Sequence, residues 1–456
     1  MFSVEELRYP FSNFIEFTPH ILDVQAFHLV VGFAGIVHIL LFAFDASSVK
    51  SWAFRFAATA ISLSPYNNPA FTYLSISISD ALGMLAVLIF LAQIVFSNFK
   101  LVEAASRRQF LKIIPYFLLV IGSLLGFIHA NYSLTGTSAN QELVFISSNM
   151  RLVISAMIGL IVITYSTRNC LCKNYITNVM SKSIWWIFAV QLICYFIYFF
   201  FRVTPYGTFQ GAGFIDIPAF GAVSIERGHL GRIIALFPAI VLIFSYESKS
   251  YKSSLIDFLL KINSRSCPKV FYVSLLSVLL SLSTSAYFLL ISQFIYPLFT
   301  YCISSLKSLF YSAHLRKSMS LTAVIIVIIA TCSSILWPLI DKAFAMIFGG
   351  SGSGVRGLSI DLSELKFLGI GYYGSTLREN IGVESYDLGL AVNSLYFGLF
   401  YYIFIFYLLF RFLSLQPGNP FERDLYRGAF FSLIIFNVFE VSIGQYSAVC
   451  LWFLLP

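Results

Sequence analysis

Apolar residues in this chain come in runs of about twenty, parted by short polar stretches. That is the length of helix needed to cross a hydrocarbon core, and a segment in lipid is helical because its backbone groups find no water there. The pattern predicts spans at 24–45, 51–65, 76–97, 110–129, 143–165, 184–201, 229–246, 269–283, 286–304, 318–338, 386–411 and 428–452. The second is weak: it is short, carries Arg55 and ends in the breaker Ser64-Pro65-Tyr66-Asn67-Asn68-Pro69. The last reads as one span or as two short helices hinged at Gly444. The expected fold class is therefore all-α: a polytopic membrane protein of about twelve transmembrane helices, a single integral membrane domain over 1–456.

Lys and Arg fall in alternate loops. Loops 98–112, 166–183, 247–269, 305–317 and 411–427 are basic, whereas 130–142 has no Lys or Arg. By the positive-inside rule the basic set is cytoplasmic, and loops 130–142, 202–228 and 339–385 face out. Segment 269–304 then folds as a hairpin that turns outside at Leu282-Ser283-Thr284-Ser285. Loop 339–385 is the only long one, with Gly349-Gly350-Ser351-Gly352-Ser353-Gly354 inside it; loops of that length are often functional. A Ser353→Cys variant should react with a membrane-impermeant maleimide in intact spheroplasts, and labelling only after lysis would refute this arrangement.

Composition narrows the picture. Charged residues make up 11% of the 456 and hydrophobic ones 58%, with a mean hydropathy of +0.83. A soluble surface needs roughly 25% charged residues, so a water-soluble fold is excluded. The net charge of +8 is accounted for by the orienting loops, and nucleic acid is not an expected partner. The first 23 residues carry Glu5, Glu6, Glu16 and Asp23 against Arg8 and lack the basic start of a cleaved signal. The seven cysteines lie in spans or basic loops, Cys170 and Cys172 among the latter. Reduced thiols are expected, and no metal cluster or cofactor motif is legible.

Candidate chemistry sits outside, where basic residues run against the orientation bias. Glu226-Arg227-Gly228-His229-Leu230-Gly231-Arg232 sets two guanidinium groups near one helix N-terminus, a place that attracts anions, and Arg grips phosphate by a bidentate fork. Arg356 lies among glycines in the long loop. Arg202 and Arg378 are binding candidates that would also be explained by snorkelling to the interface. Arg151 lies inside a span, where it faces a cavity or pairs with a buried acid. Glu384 and Asp387 can share a helix face, either being a candidate base, though an N-cap is the favoured reading of Asp387. Asn393, two turns on, is placed to donate to a ligand hydroxyl.

The chain resembles the bacterial O-antigen polymerase and O-antigen ligase superfamily from about Trp52 onward. The resemblance rests on residues 52–80, ending Leu74-Ser75-Ile76-Ser77-Ile78-Ser79-Asp80; on Glu226 to Arg232; and on Arg356 through Phe367-Leu368-Gly369-Ile370-Gly371-Tyr372, Val383-Glu384-Ser385-Tyr386, Asn393 and Phe397-Gly398-Leu399. It departs at two places. The family hairpin often has Ser-Arg at its outer turn, where this chain has Ser283-Thr284-Ser285-Ala286, so that arginine's role is empty or taken by another residue. A ligase histidine before the span after the long loop is replaced by Glu384-Ser385-Tyr386-Asp387, which favours polymerase over ligase.

The resemblance implies a GT-C-like membrane glycosyltransferase architecture in the bacterial inner membrane, involved in lipopolysaccharide biosynthesis. The implied substrate is undecaprenyl-pyrophosphate-linked oligosaccharide, polymerised without metal or cofactor. Membrane lipids, a chain-length regulator and a flippase are the implied partners. Arg227, Arg232, Arg356 and Glu384 would be catalytic. Arg151, Arg202, Glu226, Gly369, Gly371, Arg378, Tyr386, Asp387 and Asn393 would bind substrate. Competing readings are an O-antigen ligase acting on lipid A core, a lipid-linked oligosaccharide flippase or transporter, and a scaffold.

Overall fold

The computed structural model describes residues 21–45, 49–66, 72–73, 76–96, 111–133, 139–167, 169–201, 211–212, 215–218, 223, 227–245, 269–281, 283–311, 368–369, 371, 389–415, 420–439 and 443–456. They form helices α1 (Ile21–Asp45), α2 (Trp52–Leu63), α3 (Ile78–Phe96), α4 (Ile114–Ser133), α5 (Ala139–Ser166), α6 (Cys170–Phe201), α7 (Arg227–Ser245), α8 (Lys269–Leu280), α9 (Thr284–Tyr311), α10 (Gly389–Phe397), α11 (Leu399–Leu413), α12 (Pro420–Phe439) and α13 (Tyr446–Leu454). Two small antiparallel hairpins interrupt them: β1 (Thr72–Tyr73) with β2 (Ile76–Ser77), and β3 (Gly211–Ala212) with β4 (Ile215–Pro218). Among the described residues four helical stretches, Ile78–Phe96, Phe145–Ser166, Cys170–Phe200 and Ser285–Ile303, are long and apolar enough to cross a membrane. The protein is a helical membrane protein.

Three predicted spans need correction. The helix containing 184–201 starts at Cys170, so Cys170 and Cys172 open a helix instead of lying in a loop. Span 286–304 continues to Tyr311, past its predicted end. Span 386–411 is broken at Gly398, whose φ of 56° is a conformation an L side chain rarely takes. The last span is two helices, with Gly444 in the turn between them. Span 318–338 lies outside the described residues, as does loop 339–385 except for Leu368, Gly369 and Gly371.

The centre of the bundle is not made by the longest helices. In α7, residues 233–242 are all buried, and it packs against α6, α8, α9, α12 and α13. Every residue of α13 from Tyr446 to Phe453 is buried. The weak span α2 is buried along ten of its twelve residues. Its alanines at 53, 57, 58 and 60 let α3 and α6 come close, as small residues do between membrane helices. Ser51 caps it, accepting from Phe54 N at 3.4 Å. Arg55 donates to the carbonyls of Val49 and Phe44 and lies 5.0 Å from the Trp52 ring, fastening α2 to the end of α1. Polar clamps join other helices: Ser277 donates to Gln191 Oε1 at 2.6 Å, and Gln191 returns a bond to Ser277 O at 3.1 Å.

Basic residues gather at the far end of α13. Lys112 donates to the carbonyls of Phe453 (3.0 Å) and Leu455, and Trp452 Nε1 donates back to Lys112 O at 3.0 Å. Lys112 precedes α4, which starts at Ile114 and not at the predicted 110, so Lys112 lies outside the spanning helix. Burial, helped by the Arg411 cation, pulls its amine down from 10.5 to about 7. Between those values the unfolded chain binds more protons than the folded one, so stability rises with pH there and levels off below pH 7. The melting temperature in detergent should climb from pH 7 to pH 9, and Lys112→Met should abolish that climb. An equal climb in the variant would assign it to another group.

Candidate functional site

At the opposite end of α13 its first turn meets α2, α3 and α5 around a small polar cleft. Ser64, Tyr66, Ser77, Ser79, Asp80, Arg151, Gly444, Gln445 and Tyr446 line it, and its volume of about 30 Å³ has room for at least one water molecule.

Local sequence builds this site. Ser77-Ile78-Ser79-Asp80 opens α3 as a reciprocal cap: Ser77 N donates to Asp80 Oδ2 at 2.9 Å, and Asp80 N donates to Ser77 Oγ at 3.2 Å. Ser77 Oγ also donates to Asp80 Oδ2 at 2.8 Å and lies 2.7 Å from Ser79 Oγ. The carboxylate is then gripped from two other helices. Arg151 on α5 donates Nε to Oδ1 at 3.0 Å and Nη2 to Oδ2, and Tyr446 on α13 donates to Oδ1 at 2.6 Å. With five donors on its two oxygens, Asp80 orients its neighbours; its lone pairs are occupied, which disqualifies it as a proton acceptor in this arrangement. Its side chain is 5% exposed, whereas that of Arg151 is 31% exposed toward the cleft.

Glycines allow the approach. A Cβ on Gly83, one turn beyond Asp80, would stand 2.8 Å from Ile158 Cδ1 and 3.2 Å from Tyr446 Oη. A Cβ on Gly444 would be 3.4 Å from Arg151 Cγ, so the turn before α13 rests on the arginine stem. Of the readings open for Arg151, the structure shows the ion pair and the cleft together.

A second cluster lies at the turn between α8 and α9, at the position predicted for it. Ser283 caps α9, accepting from Ala286 N at 3.4 Å, and its hydroxyl is 3.1 Å from Ser285 Oγ. Arg232, in the second turn of α7, donates Nη1 to Ser285 Oγ at 3.4 Å. Gly231 lets α7 touch this turn, since a Cβ there would be 2.7 Å from Ser281 Oγ and 2.8 Å from Ala286 Cβ. The turn that lacks an arginine of its own thus receives one from α7.

Gly369 and Gly371 serve a backbone wedge. Both have positive φ, 67° and 90°. Gly371 N donates to Tyr396 O at 3.0 Å, at the end of α10. On the other side a Cβ on Gly126 of α4 would stand 2.6 Å from Gly371 N and 2.7 Å from Leu368 O. Non-helical chain among membrane helices needs protein to surround it and supply its hydrogen bonds; here Tyr396 O accepts one, and Gly126 leaves room for the close approach. Asn393, in the same helix, is fully buried and lies against the Tyr401 hydroxyl.

Arg227 begins α7, but its side chain is outside the description. Arg202, Glu226, Arg356, Arg378, Glu384, Tyr386 and Asp387 lie outside the described residues. The structure brings Arg151 and Arg232 each to a polar cluster. Asp80 and Tyr446 were not singled out as site residues by the sequence. An acid in the first turn of an otherwise apolar span was a signal for Asp80; Tyr446, one of 26 tyrosines, offered none. No protein-family model matches the chain, and no curated protein or solved structure is found similar to it.

Proposed function

We propose that the protein is an oligosaccharide repeat-unit polymerase of the bacterial inner membrane, a GT-C-like glycosyltransferase of about twelve transmembrane helices. It would transfer a growing glycan from undecaprenyl pyrophosphate to a lipid-linked repeat unit at the periplasmic face. A hydroxyl oxygen of the repeat unit attacks the anomeric carbon of the growing chain. The bond from that carbon to the pyrophosphate oxygen breaks, and the pyrophosphate leaves with the electron pair. Arg227 and Arg232 are assigned to one pyrophosphate and Arg356 to the other; Glu384 takes the hydroxyl proton. Guanidinium groups fixed where negative charge develops lower the barrier because they need no reorganisation as it grows.

The observation that carries this reading is Arg232 at the serine turn between α8 and α9. The superfamily resemblance calls for an arginine at that turn, and the chain supplies one from a neighbouring helix. A second reading, a lipid-linked oligosaccharide flippase, draws support from the break at Gly398 and the wedge at Gly369 and Gly371, since interrupted helices mark transporter binding sites.

Purified protein given lipid-pyrophosphate repeat units should produce a ladder of chain lengths without nucleotide sugar, ATP or divalent metal, and a chelator should leave the ladder unchanged. Arg232→Ala should slow it by roughly 10²–10³, the usual loss for one such donor, and Arg356→Lys, which lacks the fork, should also abolish long chains. Movement across vesicles at unchanged length would favour the flippase. A single transfer that requires lipid A core would make the protein a ligase.

A further inference from the structure

We propose that the outer seam between α4 and α11 binds an anionic phospholipid, with its headgroup phosphate on Arg411 and its acyl chains along the apolar flanks of the two helices. The site lies at the Lys112 end of α13, away from the cleft at Tyr446. It stands whether or not the protein extends glycans.

α4 and α11 pack against each other and run in opposite directions. A Cβ on Gly122 would stand 2.7 Å from the Phe400 ring, and the rings of Tyr116 and Phe404 meet edge to face at 5.6 Å. Continued along both helices, that pairing brings the start of α4 beside the last turn of α11. There both carry large exposed apolar side chains: Leu111, Ile114 and Phe117 on one side, Leu409, Phe410 and Leu413 on the other. Leu413, just past Arg411 in the chain, is 76% exposed, so the apolar face reaches the depth of the cation. Apolar side chains that no helix covers are matched by lipid tails.

The charge at this end calls for an anion. Arg411 is half-buried and donates Nη2 to Pro456 O at 2.8 Å, at the exposed surface. Lys112 behind it donates to the carbonyls of Phe453 and Leu455. Among the described residues no carboxylate side chain bonds to either cation. Burial, with the Arg411 cation adding to it, draws the Lys112 amine down to about 7, so the two groups feel each other. The buried Lys112 does not reach the lipid; its charge adds to the field at Arg411. Guanidinium suits phosphate by its fork. A zwitterionic headgroup would bring its own cation to a place that already holds two. A free phosphate ion would leave the apolar flanks unused. The basic loops 98–112 and 411–427 assign this end to the cytoplasmic leaflet, where anionic lipids draw basic residues at helix ends.

The full chain, purified in detergent, is melted in micelles titrated with phosphatidylglycerol, with phosphatidylcholine of the same acyl chains, or with inorganic phosphate. Binding to the folded state raises the melting temperature. Phosphatidylglycerol should raise it, and the other two should not. Arg411→Gln should bind phosphatidylglycerol about fivefold more weakly, the loss expected of one basic residue at a charged membrane surface. Leu413→Glu changes a side chain that the fold leaves exposed, sets a carboxylate near the guanidinium, and should weaken binding as well. Lys173→Gln, in the first turn of α6, removes a cation from another basic segment and should bind as the parent does.

Equal stabilisation by phosphatidylcholine overturns the proposal, as does phosphatidylglycerol binding that Arg411→Gln and Leu413→Glu leave unchanged. An equal loss in Lys173→Gln also overturns it, since the attraction would then belong to all the basic loops together. Stabilisation by inorganic phosphate that Arg411→Gln abolishes would make this end a site for a soluble anion, not a lipid.

Discussion

Gly428→Ala should lower the melting temperature well below that of the parent. A Cβ at this position of α12 would stand 2.0 Å from the carbonyl oxygen of Gln293 on α9, and that oxygen belongs to a backbone held on several sides. Gln293 donates Nε2 to Ala235 O on α7 and, at 3.4 Å, to Ser432 Oγ on α12. Ser432 in turn donates to Leu289 O at 3.1 Å. The helices cannot part at this point without breaking those bonds. Overpacking in a close-packed interior costs about 1–3 kcal/mol and sometimes more; a backbone obstacle puts Gly428 at the upper end. Gly444→Ala is the control, since its nearest neighbours are side-chain carbons of Leu152 and Arg151 at 3.3 and 3.4 Å, and it should cost about 1 kcal/mol or less. Thermal melting in detergent measures both. A Gly428→Ala protein that melts with the parent would contradict the α9–α12 contact.

Arg151→Ala should cost about 3 kcal/mol, the low end for breaking a buried ion pair. It leaves the Asp80 carboxylate, 5% exposed, with hydrogen bonds from Ser77 and Tyr446 but no counter-charge. Adding Asp80→Asn removes the orphaned charge, so the double variant should recover part of the loss. Equilibrium unfolding of the parent, the two single variants and the double variant gives the coupling. Strictly additive losses would show that the two residues do not act as a pair.

Much of the helix plan was legible in the sequence because a hydrocarbon core demands long apolar runs and charged loops mark their ends. The reading failed where those two signals diverge. Lys173 and Lys182 made 166–183 look like a loop, yet α6 begins at Cys170; a helix that projects beyond the core carries charge without ending. The break at Gly398 was hidden inside an unbroken apolar run, because a glycine reveals its φ only in the structure. At the candidate site Arg151 stood out as a costly charge at depth. Its partners did not, since Asp80 lies 71 residues and Tyr446 295 residues away along the chain. Only the packing of α3, α5 and α13 brings the three together.

The short helices at the centre bear on biosynthesis. At 1.5 Å per residue, the 12 residues of α2 and the 9 of α13 reach roughly 18 and 14 Å, against a core of about 30 Å. Neither is long enough to be threaded into lipid as a spanning segment in its own right. α13, which follows every other described element in the chain, must be admitted among helices already inserted. Until residues 446–454 emerge from the ribosome, the nascent protein holds an unfilled interior, with Asp80 lacking Tyr446 and Lys112 lacking its carbonyls. Membrane quality control would meet that state during every round of synthesis, so a stall late in translation should expose the chain to proteolysis more than a stall at any earlier loop.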